Sequence, residues 1–275
     1  MSMTLQDKFA ELDQQNKALL AVNFYNFETL SATLKAAAAQ DIPIILQSTK
    51  STIDYLGLEV TAQLARAAIR QYGVEAWLHL DHAQDTELIR RALDAGYDSV
   101  MIDASEKPIE INRDITRKVV EMAAPYGANV EAELGYIAKL GQSKEEVAFT
   151  QPGQARSFVE DTGVDALAVA IGSAHGFYDM DPDLDIELLG RIHEATPAAL
   201  VLHGGSGIPD DQIQAAIRNG IRKINLATEI KNGFMNTLRE QLPQSEEIDL
   251  RKVFPGAIDH VQALLEEKIT MINQA

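Results

Sequence analysis

Cysteine is absent from the 275-residue chain. That excludes disulfides, thiol nucleophiles and thiolate-held zinc or iron–sulfur centres. Basic residues are scarce: 24 Lys and Arg against 41 Asp and Glu leave a formal net charge of −17. A chain of that sign lacks the basic footprint of non-specific nucleic-acid binding, so no nucleic-acid partner is expected. No apolar run reaches the ~18 residues of a membrane span, so no membrane partner is expected either. The opening stretch "MSMTLQDKFAELDQQNK" is polar and helix-like. It carries no apolar signal core, and the expectation is a cytoplasmic protein. A glycine-rich dinucleotide turn after an early strand is also missing, which counts against an open doubly wound sheet.

What the chain does contain is a recurring unit: an amphipathic helix, a glycine, then a short apolar run. It appears at Gly73, Gly96, Gly127, Gly163 and Gly220, as in "LDAGYDSVMID" and "EDTGVDALAVA". A glycine just past a helix takes the left-handed conformation that closes the last turn. The runs that follow are apolar without alternation, as strands covered on both faces are. With "ALLAVN" (18–23), "IPIILQ" (42–47) and "AALVLHG" (198–204) there are eight such strands. Eight strand–helix units predict an α/β protein with a closed (β/α)8 TIM barrel, one domain over 1–275. An additional C-terminal helix carries Ile258, Val261, Leu265, Ile269 and Ile272 at helical spacing.

In such barrels chemistry collects where strands end. Only six histidines occur, and three of them, His82, His175 and His203, fall at ends of strands three, six and seven. Three neutral imidazoles and one open position are the coordination of a catalytic zinc. His79, two residues before Asp81, reads as core packing, and His193 and His260 as helix surface or packing residues. Asp81 stands beside a candidate ligand, where a carboxylate either moves a substrate proton or orients a histidine. Asp103 and Glu133 read equally as alternate metal ligands or as hydrogen-bond partners of a ligand histidine. Glu131 shares a strand face with Glu133 and is expected to make a structural hydrogen bond deeper in the barrel. "GGSG" after strand seven and "NLAT" after strand eight sit in the two loops that often build a phosphate site. There Gly204 and its neighbours bring backbone N–H groups close to an anion, and Ser206 and Thr228 add hydroxyls.

The segments "LHLDHA", "SVMIDAS", "NVEAELG", "TGVDALAVAIGSAHGFY", "LHGGSGIP" and "KINLATE" together resemble the class II, zinc-dependent ketose-bisphosphate aldolases. That family includes fructose- and tagatose-1,6-bisphosphate aldolases, and the resemblance runs from about residue 15 to the end. It implies one Zn2+ per subunit on His82, His175 and His203, and Asp81 handling the proton of the sugar C4 hydroxyl. It implies that Gly176, Gly204, Ser206, Asn225 and Thr228 contact the dihydroxyacetone phosphate half, with Asn23 near the substrate and Thr49 near the phosphate. A monovalent cation (Na+ or K+), a small-molecule sugar phosphate substrate and a homodimer or homotetramer are implied as well.

Two departures from the family pattern stand out. After "VEAELG" the family continues with paired glycines and paired acids on a loop that supplies an acid/base glutamate. Here the chain reads "YIAKLGQSKEEVAFTQPGQ", and Glu145 and Glu146, displaced by several positions, are the candidates. After Thr49, where the family has small turns, stand Lys50 and Ser51. Both changes fall where the aldehyde half belongs, so the acceptor is expected to differ from glyceraldehyde 3-phosphate. The competing readings are a non-catalytic sugar-phosphate sensor and another zinc-dependent TIM-barrel enzyme.

Overall fold

The structure, a computed structural model, describes residues 3–135, 149–176, 178 and 182–275. Eight parallel strands close on themselves in chain order, each paired with the next and the last with the first. They are β1 (Leu19–Asn23), β2 (Ile44–Thr49), β3 (Ala76–Ala83), β4 (Ser99–Ile102), β5 (Asn129–Leu134), β6 (Ala166–Val169), β7 (Ala199–Leu202) and β8 (Ile221–Leu226). The helices are α1 (Leu5–Gln15), α2 (Phe27–Gln40), α3 (Lys50–Leu56), α4 (Leu58–Tyr72), α5 (Thr86–Asp94), α6 (Ile109–Ala123), α7 (Pro152–Thr162), α8 (Ile186–Ala195), α9 (Asp210–Arg218), α10 (Thr228–Gln241), α11 (Leu250–Val253) and α12 (Pro255–Asn273). The expected TIM barrel is therefore present. The C-terminal helix is present too: α12 lies against α2, α10 and α9 and buries Val261, Leu265, Ile269 and Ile272. The glycines at 73, 96, 127, 163 and 220 all have positive φ, between 64° and 111°.

Strand alternation sorts the side chains into two sets. Leu20, Val22, Leu46, Leu78, Leu167 and Val169 face the helices in the larger apolar cluster. Leu19, Ala21, Ile45, Trp77, Ala166, Ala168 and Val201 fill the barrel interior. Leu5, Phe9 and Leu12 of α1 join that interior cluster, so α1 plugs the end where the strands begin. Its polar face stays outside, with Arg222 clamping it by a 2.8 Å ion pair to Asp13.

Along several inward rows polar residues gather toward the C-terminal end. Leu19 and Ala21 lead to Asn23, Trp77 to His79 and Asp81, Val201 to His203, and Asn129 to Glu131 and Glu133. Buried polar groups persist only when hydrogen-bonded. The fold meets that condition by setting them against one another across neighbouring strands.

Candidate metal and sugar-phosphate site

His82, His175, His203 and Glu133 each offer one ligand atom, and all four atoms lie within 4.8 Å of one another. The ring centroids are 4.7 Å apart for His82 and His203, 4.9 Å for His82 and His175, and 5.7 Å for His175 and His203. His82 comes from the end of β3, and His175 and His203 from the loops that follow β6 and β7. By strand alternation Asp81 and His82 belong on opposite faces. His82 breaks that rule with φ 51°, where the β3–β4 register shifts between Leu80 and Ala83. A non-glycine residue there carries backbone strain, of the kind that collects at functional sites. The bulge turns His82 back to the rim beside Asp81.

Each of two imidazoles has one nitrogen already engaged. His82 Nδ1 lies 2.9 Å from Asp103 Oδ2, and His203 Nε2 lies 2.8 Å from Glu131 Oε1. Their other nitrogens, His82 Nε2 and His203 Nδ1, face each other at 2.9 Å. Two neutral rings oriented this way point lone pairs at one spot, an arrangement that a shared cation or proton relieves. The donor set, imidazole nitrogen plus carboxylate oxygen, is the kind that takes zinc or a similar divalent ion. The residues therefore fit a metal. Asp103, for which two roles were open, hydrogen-bonds His82 and also accepts from the Ser105 hydroxyl and N–H. Glu133 stands within the four-residue group itself.

Charge sets the protonation pattern. Burial by itself would push His82 down, but Asp81, Asp103 and Glu133 outweigh it and raise its pKa to about 9. His203, buried and close to His82 and Lys223, is held well below the ordinary histidine value. Burial acts to raise Asp81, yet His82, His203, Lys223 and the Asn23 amide together lower it, so it stands ionised. Asn23 Nδ2 reaches Asp81 Oδ2 at 3.0 Å, and Gln47 Nε2 in turn holds Asn23 Oδ1 at 2.9 Å.

A pocket of about 520 Å³ opens beside this group, and Asp81, His82 and His175 line it. Gly176, Gly204, Ser206, Asn225 and Thr228, which the resemblance assigns to the dihydroxyacetone phosphate half, line it too. Gly204 has φ 67°, and a Cβ there would fall 2.1 Å from the Ala174 carbonyl oxygen, so only glycine allows the two loops to meet. Tyr178 ties the same loops, accepting from Ala174 N–H at 2.7 Å and donating to the Gly204 carbonyl at 2.9 Å. Ser206 Oγ accepts the Glu229 N–H at 3.3 Å. α10 begins here at Thr228; its N-cap residue Ala227 supplies no side-chain cap, and the Ser206 hydroxyl takes the Glu229 amide in its place.

Asn23 and Thr49 also line the pocket. Thr49 doubles as the N-cap of α3, its hydroxyl accepting from Thr52 N–H. Lys50 does not line the pocket: it points outward to Asp54, 2.5 Å away on an exposed face, because the helix that Thr49 caps turns it away. Glu145 and Glu146 lie outside the described residues. Sequence reasoning passed over Lys231, the one Lys or Arg among the described residues lining the pocket, 5.4 Å above the Tyr25 ring. Its signal was its place one turn into the helix after "NLAT". Sequence reasoning also passed over Lys223, buried against Glu131 at 2.7 Å, which shares a strand face with Asn225.

The profile of the family "Fructose-bisphosphate aldolase class-II" matches residues 3–275. The chain belongs to this family. It is metal-dependent, its members are carbon–carbon lyases, and it implies a sugar phosphate as substrate. The D-tagatose-1,6-bisphosphate aldolase subunit GatY of Klebsiella oxytoca is 40% identical over 237 residues, covering 84% of each chain. The crystal structure of the YdjI aldolase from Escherichia coli K12 is similar at TM-score 0.89 and 32% identity, over 99% of this chain and 97% of that one. A fructose-bisphosphate aldolase from Campylobacter jejuni, 22% identical, shares the fold at TM-score 0.85 over 99% and 95%. Family membership does not favour the sensor or another zinc-dependent TIM-barrel enzyme. No described helix is long and apolar enough to cross a membrane.

Proposed function

We propose that the chain cleaves a ketose 1,6-bisphosphate, in the manner of its tagatose- and fructose-bisphosphate relatives, to dihydroxyacetone phosphate and an aldehyde. The single observation carrying this is the meeting of three histidines in one four-donor group, with His82, His175 and Asp81 lining the same pocket as Gly204, Ser206 and Thr228. His82, His175 and His203 would hold one Zn2+ per subunit, with Glu133 within reach. When bound, that ion supplies Lewis-acid polarisation of the ketone and neutralises the charge that develops next to it.

The remaining work belongs to the protein's own groups. The loop at Gly204–Ser206 and the first turn of α10 at Thr228 hold one phosphate with backbone N–H groups and the helix dipole. Gly176 and Asn225 fix the donor half beside it. Lys231 lines the same pocket, where it can pair with an anionic group of the substrate. Asp81, ionised and held by Asn23, accepts the C4 hydroxyl proton as the C3–C4 bond breaks and its electron pair stays with the donor half. The aldehyde then leaves. Glu145 or Glu146 is the candidate acid that returns a proton to the donor carbon. A Na+ or K+ near the cradle carbonyls, a homodimeric or homotetrameric assembly, a cytoplasmic location and a single domain over 1–275 complete the reading. The displaced acids after β5 support an acceptor aldehyde other than glyceraldehyde 3-phosphate.

The test is cleavage of tagatose and fructose bisphosphates by the purified chain, before and after chelation and after zinc is restored. Chelator-sensitive, zinc-restored cleavage of either is the expected result. Failure to cleave either, and to condense dihydroxyacetone phosphate with any of a panel of aldehydes, would sink the reading.

A further inference from the structure

Against His203, inside the barrel, lie buried charged side chains that the proposed chemistry does not use, Glu131 and Lys223. Glu131, Lys223 and His203 are each at most 1% exposed. Glu131 divides its two oxygens: Oε1 lies 2.8 Å from His203 Nε2, and Oε2 lies 2.7 Å from Lys223 Nζ. An ammonium group only donates, so Lys223 can be satisfied only by an oxygen. The carboxylate oxygen left for His203 is likewise an acceptor. A proton must therefore sit on His203 Nε2, and Nδ1 is left with its lone pair. That Nδ1 is the atom 2.9 Å from His82 Nε2 and 3.9 Å from Glu133 Oε2, inside the four-donor group.

We propose that Glu131, anchored by Lys223, is a positioning residue that fixes the tautomer of His203, so that Nδ1 and not Nε2 faces the metal. This deepens the metal reading above and rests on it. The neighbouring His79 does not share the task. Its Nδ1 donates to Ser99 Oγ at 2.7 Å, because Ser99 spends its own hydroxyl proton on Asn129 Oδ1 at 3.0 Å. His79 Nε2 stands 3.7 Å from Glu131 Oε2, beyond hydrogen-bond reach. Glu131 thus holds one histidine and one lysine.

Hydrogen-bond polarity makes the proposal testable. In Glu131→Gln the amide must keep its oxygen toward Lys223, which accepts nothing. Its NH2 then faces His203 Nε2, which must become the acceptor, and the ring proton moves to Nδ1, where it blocks the metal. In Glu131→Gln/Lys223→Met the amide is free to turn its oxygen toward Nε2, and the original tautomer returns. The experiment reads the 15N side-chain shifts of His203 in the metal-free proteins, together with Zn2+ affinity by competition with a chromophoric chelator.

The wild type is expected to show protonated Nε2. Glu131→Gln is expected to show protonated Nδ1 and to bind Zn2+ about 10–100-fold more weakly, and the double variant to regain most of that loss. A general packing defect would weaken the double variant further, not restore it. Metal-free wild type with its proton on His203 Nδ1 overturns the proposal even if neither variant folds. So does a Glu131→Gln protein with unchanged tautomer and affinity. A wild type that shows protonated Nε2 but takes no Zn2+ sinks the metal reading while leaving the hydrogen-bond assignment standing.

Discussion

Asp81 is buried, yet its carboxylate is ionised because positive and donor groups surround it. A base held in that state moves a proton without first shedding one of its own. Asp81→Asn keeps the shape and the Asn23 contact but removes the base. The expected loss is about 10²–10⁴ in kcat with little change in bound zinc, from steady-state cleavage and metal analysis on one sample. Retained kcat would pass the C4 proton to another group. His82 bears on pH. Its pKa rises from 6.5 to about 9 in the metal-free fold. The proton therefore stabilises the metal-free protein fully below about 6.5, and that contribution is lost as pH rises through about 9. Zinc needs the same ring deprotonated, so its affinity runs the other way, climbing about tenfold per pH unit from 6.5 to 9 where one proton is displaced. Chelator competition at several pH values checks the slope. A flat profile would mean that His82 binds no metal, or is not protonated when metal-free.

At the scale of elements, α1 shows how a helix that reads as ordinary amphipathic surface can close a barrel. Phe9 is 4% exposed and packs with Trp77, Ala166 and Val201 inside the strand ring. Phe9→Ala removes that plug at about 3–5 kcal/mol. The melting temperature should fall by several degrees, while the kcat of the folded fraction holds, since the site lies at the other end of the strands. Parallel losses of kcat and stability would show the two ends to be coupled. The periodic glycines and unbroken apolar runs made the eight strands legible, since local chemistry specifies them. The plug was not legible, because Phe9 meets residues about 70 to 190 positions away that only closure of the sheet brings together. The same limit applies at the rim. Histidines 82, 175 and 203 stand at strand ends in the sequence. The reason Asp81 and His82 both reach the pocket is a single positive φ at a bulge, which alternation argues against. Lys223 was likewise hidden: it stands beside Arg222 in a strand, and the partner for the structural hydrogen bond expected of Glu131 appears only when barrel closure sets the two 2.7 Å apart.

Across the whole molecule, a net charge of −17 opposes an anionic substrate, and among the described residues lining the pocket one lysine, Lys231, answers it, beside the proposed amide cradle. The two effects differ in range. The bulk field reaches tens of ångströms at low salt, where the screening length is about 30 Å in 0.01 M salt and about 8 Å at 0.15 M. Amide and Lys231 contacts act within hydrogen-bond distance, where salt screens far less. Raising ionic strength should therefore lower KM for a bisphosphate, by about two- to fivefold between those salt levels, against the usual trend for enzymes that draw anions in with positive fields. Lys231→Met removes the one Lys or Arg among the described residues that line the pocket. It should raise KM about 10–100-fold at either salt level, the size of a lost charge-assisted hydrogen bond, and leave the sign of the salt effect unchanged. Initial-rate curves for both proteins at both salt levels decide it. A KM that climbs with salt in the wild type, and stops doing so in Lys231→Met, would mean that Lys231 governs approach as well as grip. The amide cradle would then be secondary to it.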